Sequence, residues 1–374
     1  MRYVACLITV LLAFAGSARP AERPNILFIY TDDQASWAVG AANPDFYTPN
    51  LDRLFAQGAV LSNAFVTTPV CSPSRAGLLA SRYGTEVGIT DWINPRGGEH
   101  QRKEIHVGLD PSLPTWVRQL RDAGYATTLV GKWHLGTEDR FHPTHFGYDR
   151  FIGFRAGGIK VESPELEVDG ETRQTSGLTE DVLTDFALEV LRSANDNQPF
   201  LLSLHYRAPH APWTPVADAD NAPYAGKKLT LPEPDVPDLD VERVEKFMRE
   251  YAASVTCVDR NVGRLLAALD ELGLRDDTVV VFTSDNGYNI GHHGLLHKGN
   301  GGWITTDKRD IPFHDPRVTR PNMFDTSMRV PAAVRWPGKI AAGSTVDAVI
   351  TNLDWYPTLL ALAGLEPPVG ATIH

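Results

Sequence analysis

The sequence predicts an α/β protein with a mostly parallel central sheet flanked by helices on both faces. Runs rich in β-branched and aromatic residues alternate with segments of helical periodicity, the pattern of strand–helix–strand units. The runs at residues 26–30 and 278–283 are apolar almost throughout, as strands covered on two faces must be. Polar residues cluster just beyond four of the predicted strands. In open α/β sheets, ligands bind beyond the carboxyl ends of strands, so four such clusters predict one site.

The first strand, residues 26–30, ends in Thr31-Asp32-Asp33. Thr48 then caps a helix with Pro49 in its first position and Leu51, Leu54 and Phe55 on one face. A second strand is expected over residues 65–68, just before Cys71, with a helix opening near Pro73. Residues 113–123 read as a helix, and 126–130 as a strand ending at Gly131-Lys132-Trp133-His134. Residues 179–194 place Val182, Phe186, Leu188 and Leu191 on one side of an amphipathic helix. The strand at 199–206 leads to Pro209-His210-Ala211-Pro212. A long helix at 241–272 carries Cys257 among apolar positions, and the strand after it ends in Ser284-Asp285-Asn286-Gly287. A last strand is expected over 329–336, and a helix over 354–363 with Pro357 in its first turn.

A chain of 374 residues can bury a substantial core as one large or two ordinary domains. Thirty-five basic against 46 acidic side chains give a net charge of −11. No global basic field therefore invites nucleic acid, and any anion site must be a local basic pocket. Met1-Arg2, an apolar run and Gly16-Ser17-Ala18 have the pattern of a secretory signal peptide over residues 1–21. The expected mature protein is exported, periplasmic or secreted. The apolar run falls short of the ~20 residues of a membrane span, which argues against stable membrane insertion. Cys6 lies inside that run, which leaves Cys71 and Cys257 and no disulfide framework. His292, His293 and His297 stand among glycines and read as hydrogen-bonded loop histidines before they read as a second metal site.

Asp32-Asp33 and Asp285-Asn286-Gly287 could each be an ordinary turn or helix cap. Together they supply three carboxylates and an amide oxygen, a hard-oxygen set suited to Ca²⁺ or Mg²⁺ and poor for zinc. Cys71-Ser72-Pro73-Ser74-Arg75, followed by Leu78-Leu79, resembles the first signature of the sulfatase family. Gly124-Tyr125-Ala126-Thr127-Thr128-Leu129-Val130-Gly131-Lys132-Trp133-His134 resembles the second along its whole length. The chain departs from the family pattern at Ala80-Ser81, where Thr-Gly is usual.

The resemblance implies an alkaline-phosphatase-like sulfatase fold and hydrolysis of sulfate monoesters, here expected on a sulfated carbohydrate. It implies that a formylglycine-generating maturase oxidises Cys71 to Cα-formylglycine. It also implies one Ca²⁺ held by Asp32, Asp33, the group at Cys71, Asp285 and Asn286. Arg75 would grip the hydrated aldehyde and sulfate oxygens from one helical turn on, where the helix N-terminus adds backbone donors. Lys132 would bind sulfate or formylglycine, and His134 would take a proton as the sulfated hemiester collapses. His210 is implied at the sulfate and leaving oxygen, and Lys298 as a second sulfate-contacting lysine, a general acid or charge clamp. Residues 155–173 and the loop 299–322, with Trp303, are expected pocket walls. The catalytic domain is expected over 22–366. Residues 367–374 would begin a truncated C-terminal region, the family's antiparallel subdomain being absent or cut short. Two rival readings are a formylglycine-dependent phosphonate or phosphodiester hydrolase and a non-catalytic sulfoglycan-binding homologue.

Overall fold

A mixed sheet of ten strands runs through the computed structural model, which describes residues 23–94, 107–194, 197–306 and 322–374. The expected signal segment at 1–21 and residues 307–321 of the expected wall loop lie outside the described residues. The strands are β1 (Asn25–Thr31), β2 (Ala59–Phe65), β3 (Ala126–Lys132), β4 (Arg150–Phe154), β5 (Glu165–Val168), β6 (Glu171–Gln174) and β7 (Phe200–His205), then β8 (Thr278–Ser284), β9 (Asn289–Ile290), β10 (Leu295–His297), β11 (Gly302–Trp303), β12 (Ala333–Arg335) and β13 (Ser344–Thr351). The large sheet has the order β13-β2-β12-β8-β1-β7-β3-β4-β5-β6, and β11-β10-β9 form a small antiparallel sheet.

The helices are α1 (Pro49–Ala56), α2 (Cys71–Ala80), α3 (Trp116–Asp122), α4 (Thr179–Ser193), α5 (Asp218–Asn221), α6 (Val241–Glu271), α7 (Asp325–Met328) and α8 (Trp355–Leu362). Alternate residues of β1 face opposite layers, as the strand pleat requires. Phe28 and Tyr30 pack with Trp116 and Leu120 of α3 and Trp355 and Leu359 of α8. Leu27 and Ile29 pack with Leu183 and Leu191 of α4 and Val258 and Val262 of α6. A third cluster joins Tyr251 of α6 to Trp213, Tyr288 and Ile290 beside the small sheet.

The central strands β8, β1, β7, β3 and β4 are mutually parallel. Their carboxyl ends therefore lie on one side, and the residues that follow four of them meet there. The sheet is less uniformly parallel than expected at its edges. β12 inserts antiparallel between β8 and β2, and β4–β5–β6 form antiparallel pairs.

Element limits also differ from those expected. The second strand spans Ala59–Phe65, and not 65–68. Its mixed sequence AVLSNAF is mostly half-buried, so it gives no clean alternation. Only Ala333–Arg335 of the run 329–336 is strand, between Pro331 and Pro337, which cannot donate to a ladder. β13 was not expected, because its sequence STVDAVIT lies largely exposed at the sheet edge. Residues after α8 form turns and coil. No helix among the described residues is long and apolar enough to cross a membrane.

Candidate active site

Cys71 is the first residue of α2 and is 2% exposed. Lys298, just beyond β10, donates from Nζ to its Sγ at 2.8 Å, and the thiol faces Asp32 Oδ1 at 3.5 Å. Lys298 also pairs with Asp33. Lys132, the last residue of β3, pairs with Asp32. Arg75, one turn into α2, donates from Nε to Asp285 Oδ2 at 3.0 Å, with its NH2 2.9 Å from the same oxygen. The Arg75 NH1 donates to Lys132 O at 3.2 Å, and its guanidinium lies over the Tyr30 ring, 5.1 Å from the centroid.

The sheet register explains this convergence. Thr31 lies opposite Ser284, which sets Asp32-Asp33 beside Asp285-Asn286. Asp33 N donates to Asp285 Oδ1 at 3.1 Å, and Asn286 Nδ2 donates to Asp33 Oδ1 at 2.7 Å. Oxygens of Asp32, Asp33 and Asp285 lie within 4.8 Å of one another. Asp33 Oδ2 and Asn286 Oδ1 are buried acceptors with no hydrogen-bond donor in the protein. Buried oxygens left without donors are costly unless something positive takes them up. The donor set and the two orphaned oxygens fit a hard divalent cation such as Ca²⁺.

His134 follows β3 with a φ of 60°, and Asp33 has a φ of 68°. Both sit in the left-handed region, which residues with side chains adopt at a cost and which is frequent at functional sites. His134 Nε2 lies 3.1 Å from Ile93 O. A carbonyl can only accept, so Nε2 carries the proton and Nδ1 presents a lone pair, buried and without a partner. Ile93 is itself tied to α2, its N–H donating to Ser72 Oγ at 3.0 Å. Gly157 makes room for the ring, since a Cβ there would lie 2.5 Å from His134 Nε2. His210 Nδ1 donates to Ala211 O at 2.6 Å, and its Nε2 lies 3.9 Å from Asp33 Oδ2. Its side chain is 25% exposed, whereas Cys71, Arg75, Lys132, His134 and Lys298 are closed off from solvent.

Burial raises the Cys71 thiol, Asp32 adds to the effect, and the pKa stands at about 12. Burial and then Asp32 likewise push Asp285 up to about 7, against the pull of Arg75 and the lysines. Asp32 resists burial, because Lys132, His210, Lys298 and Arg75 hold it well below the usual carboxylate range. Lys298 is held well above its ordinary value, since Asp33 and Cys71 outweigh its burial. Burial brings His210 down to about 4 despite Asp32 and Asp33. Burial, with Lys132 and Arg75 adding to it, keeps His134 neutral far below the usual range.

All ten residues singled out from the sequence therefore gather beyond one edge of the sheet. His292, His293 and His297 do not form a metal cluster. His292 lies against Trp37 at a centroid distance of 4.5 Å, His293 stacks on Phe324 at 4.1 Å, and His297 Nδ1 meets Asn300 Oδ1 at 2.9 Å. Sequence reasoning missed Ser72, Ile93, Glu180, His205 and Arg207. His205 and Arg207 follow the same strand-end rule as the rest and were legible by it. His205 Nδ1 lies 3.2 Å from Lys132 O and 3.4 Å from Arg75 NH1. Ile93 acts through a backbone carbonyl and leaves no mark in sequence.

Residues 24–365 match the sulfatase family model. The N-acetylglucosamine-6-O-sulfatase of Bacteroides thetaiotaomicron is 27% identical, the match covering 96% of this chain and 71% of the relative. The N-acetylgalactosamine-6-sulfatase of Rattus norvegicus is 31% identical, over 96% of this chain and 64% of its own length. Among solved structures, BT4656 in complex with its substrate D-glucosamine-2-N,6-O-disulfate superposes with a TM-score of 0.74 at 25% identity, covering 94% of this chain and 79% of that one. The chain thus spans roughly two thirds to four fifths of the length of these proteins.

Proposed function

The chain belongs to the sulfatase family, and on that premise we propose that it hydrolyses sulfate monoesters carried on a carbohydrate. The single observation that carries the proposal is the setting of Cys71, a buried residue at a helix N-terminus gripped by Lys298 and Asp32. With its pKa near 12 the thiol is protonated at neutral pH and is no nucleophile. Oxidised by a maturase to Cα-formylglycine, this position supplies a geminal diol, with one hydroxyl to attack sulfur and a second whose deprotonation expels sulfate and restores the aldehyde.

Asp32, Asp33, Asp285 and Asn286, with the group at position 71, would hold Ca²⁺. When bound, the ion lowers the pKa of the attacking hydroxyl and offsets charge on the sulfate oxygens. The charge balance supports an anionic substrate. Asp32, Asp33 and Asp285 oppose Arg75, Lys132 and Lys298 one for one, so a divalent cation leaves the site positive.

Arg75, Lys132 and Lys298 bind and orient the sulfate oxygens. His134, with Nε2 committed to Ile93 O, takes the second hydroxyl's proton on Nδ1. His210 stands at the mouth, where the bridging ester oxygen would lie. In this reading it delivers a proton from Nε2 to that oxygen while Nδ1 keeps its bond to Ala211 O. The 6-O-sulfated amino sugars named for the relatives make 6-O-sulfated N-acetylhexosamines the first substrates to try. We place residues 22–366 in the catalytic domain, and the pattern of residues 1–21 supports export.

The test is purification from a maturase-competent host, peptide mass spectrometry across Cys71, and assay on sulfated N-acetylhexosamines beside phosphodiesters. Oxidised Cys71 with turnover of the sulfates is the expected result. A preference for the diester, or an unmodified thiol, overturns it.

A further inference from the structure

Arg207 lies two residues past β7 and three before His210, and it is 1% exposed. A guanidinium so buried is tolerated only where its N–H groups are taken up. Its NH1 donates to His210 O at 2.7 Å, and its NH2 donates to Pro212 O at 3.0 Å. Its Nε makes no hydrogen bond but lies 3.5 Å from Glu180 Oε1, an ion pair in the first turn of α4. The same carboxylate oxygen accepts from Ala208 N at 2.8 Å, and Ala208 O accepts from Asp32 N at 3.3 Å. The backbone on both sides of His210 is thus gripped from within at residues 208, 210 and 212. The loop is also joined to the strand end that bears the metal-binding carboxylates.

A planar fork can reach two carbonyls and a carboxylate at once, which the point charge of a lysine cannot. We infer that Arg207, paired with Glu180, is a positioning residue that sets where His210 meets the leaving oxygen of the ester. This inference rests on the role of His210 proposed above. The partners of Arg207 are His210 O, Pro212 O and Glu180, and Cys71 is not among them. Arg207 acts by fixing the carbonyls that orient the loop, and displacement of a proton donor by about 1 Å can cost on the order of 10²-fold in rate.

The experiment compares the full-length wild type, R207A, R207K, H210A and R207A/H210A. Rates are normalised to the fraction of oxidised Cys71 measured by peptide mass spectrometry. The substrates are 4-nitrophenyl sulfate, whose leaving group needs no proton, and a sugar 6-O-sulfate, whose leaving group does. H210A and R207A are each expected to lose about 10²-fold in kcat on the sugar sulfate and far less on the aryl sulfate. R207K is expected to fall between R207A and wild type. The double variant is expected to be no more than about threefold slower than H210A, because two residues acting through one group are not additive.

Losses that multiply in the double variant overturn the inference alone. So does an R207A loss equal on both substrates while H210A discriminates between them. An H210A variant without leaving-group dependence overturns the role of His210 and this inference with it. Should R207A not fold, R207K and E180Q in the H210A background supply the same comparison with the same two outcomes.

Discussion

Asp33 and Asn286 each keep a buried oxygen without a donor, so the protein alone leaves part of its site unsatisfied. An ion that binds the folded state alone stabilises it, by about 2.7 kcal/mol at 100 times its dissociation constant. Wild type is therefore expected to melt higher in Ca²⁺ than in chelator. Asp285→Asn, which removes a carboxylate charge from the set, should lose most of that difference; thermal melts with and without chelator check it. Cys71→Ala is expected to abolish turnover while costing no more than about 1.5 kcal/mol, since the thiol is small and inert. Denaturant titration alongside the rate separates the two effects. At this scale the sequence was most legible where chemistry is contiguous: Asp32-Asp33, Cys71 to Arg75, Lys132 to His134 and Asp285-Asn286 each sit in one short run. Arg207 and Glu180 meet across 27 residues through a buried contact, and only folding brings them together.

The strand ends aim these runs, and β3 shows how narrowly. Gly131 precedes Lys132 with a φ of 109°, and a Cβ on it would lie 1.9 Å from His205 O in the adjacent β7. Its register partner on the other side is Gly153, whose own Cβ would fall 2.0 Å from Gly131 O. Two glycines facing each other let β7, β3 and β4 crowd together just where Lys132 leaves the sheet. Gly131→Ala is expected to cost about 2 kcal/mol or more and to lower kcat by misplacing Lys132 and His134. Chemical denaturation and steady-state kinetics on the same preparation measure both. The apolar central strands were readable because burial on two faces demands uninterrupted hydrophobic sequence. β6, exposed along its whole length, and β13 at the opposite edge owe their conformation to a neighbour's unpaired ladder, which a local pattern cannot report.

Across the whole molecule, several histidines are neutral because the fold buries them. His292 lies on Trp37 and accepts from Ile290 N through Nδ1 at 3.3 Å. Burial, with His293 adding to it, lowers its pKa from 6.5 to about 4. Burial and then Arg75 bring His205 well below the usual range. A folded-state pKa below the unfolded one means that the unfolded chain binds protons first as the pH falls. Their contribution to stability is complete above pH 6.5 and drains away as the pH drops toward 4. The melting temperature is expected to fall through that window. His292→Phe, which keeps the ring contact but cannot titrate, should show a shallower decline from a lower starting point. The fold class was legible from strand and helix alternation, and the acidic net charge pointed only to a local pocket for any anion. The density of buried ionic groups was not legible, since composition counts charges without saying which are inside.

Cys71 is sealed beneath Lys298 and the strand-end carboxylates, with 2% of its surface reachable. A maturase acting as proposed would need that residue while it is still accessible, before this burial is complete. Once β1 and β8 have paired and α2 has docked, the opportunity has passed. On the proposed maturation, folding would act as a deadline: the fraction of active molecules would be set by a race between oxidation and closure, and a chain that folded first would stay a thiol for as long as it stayed folded.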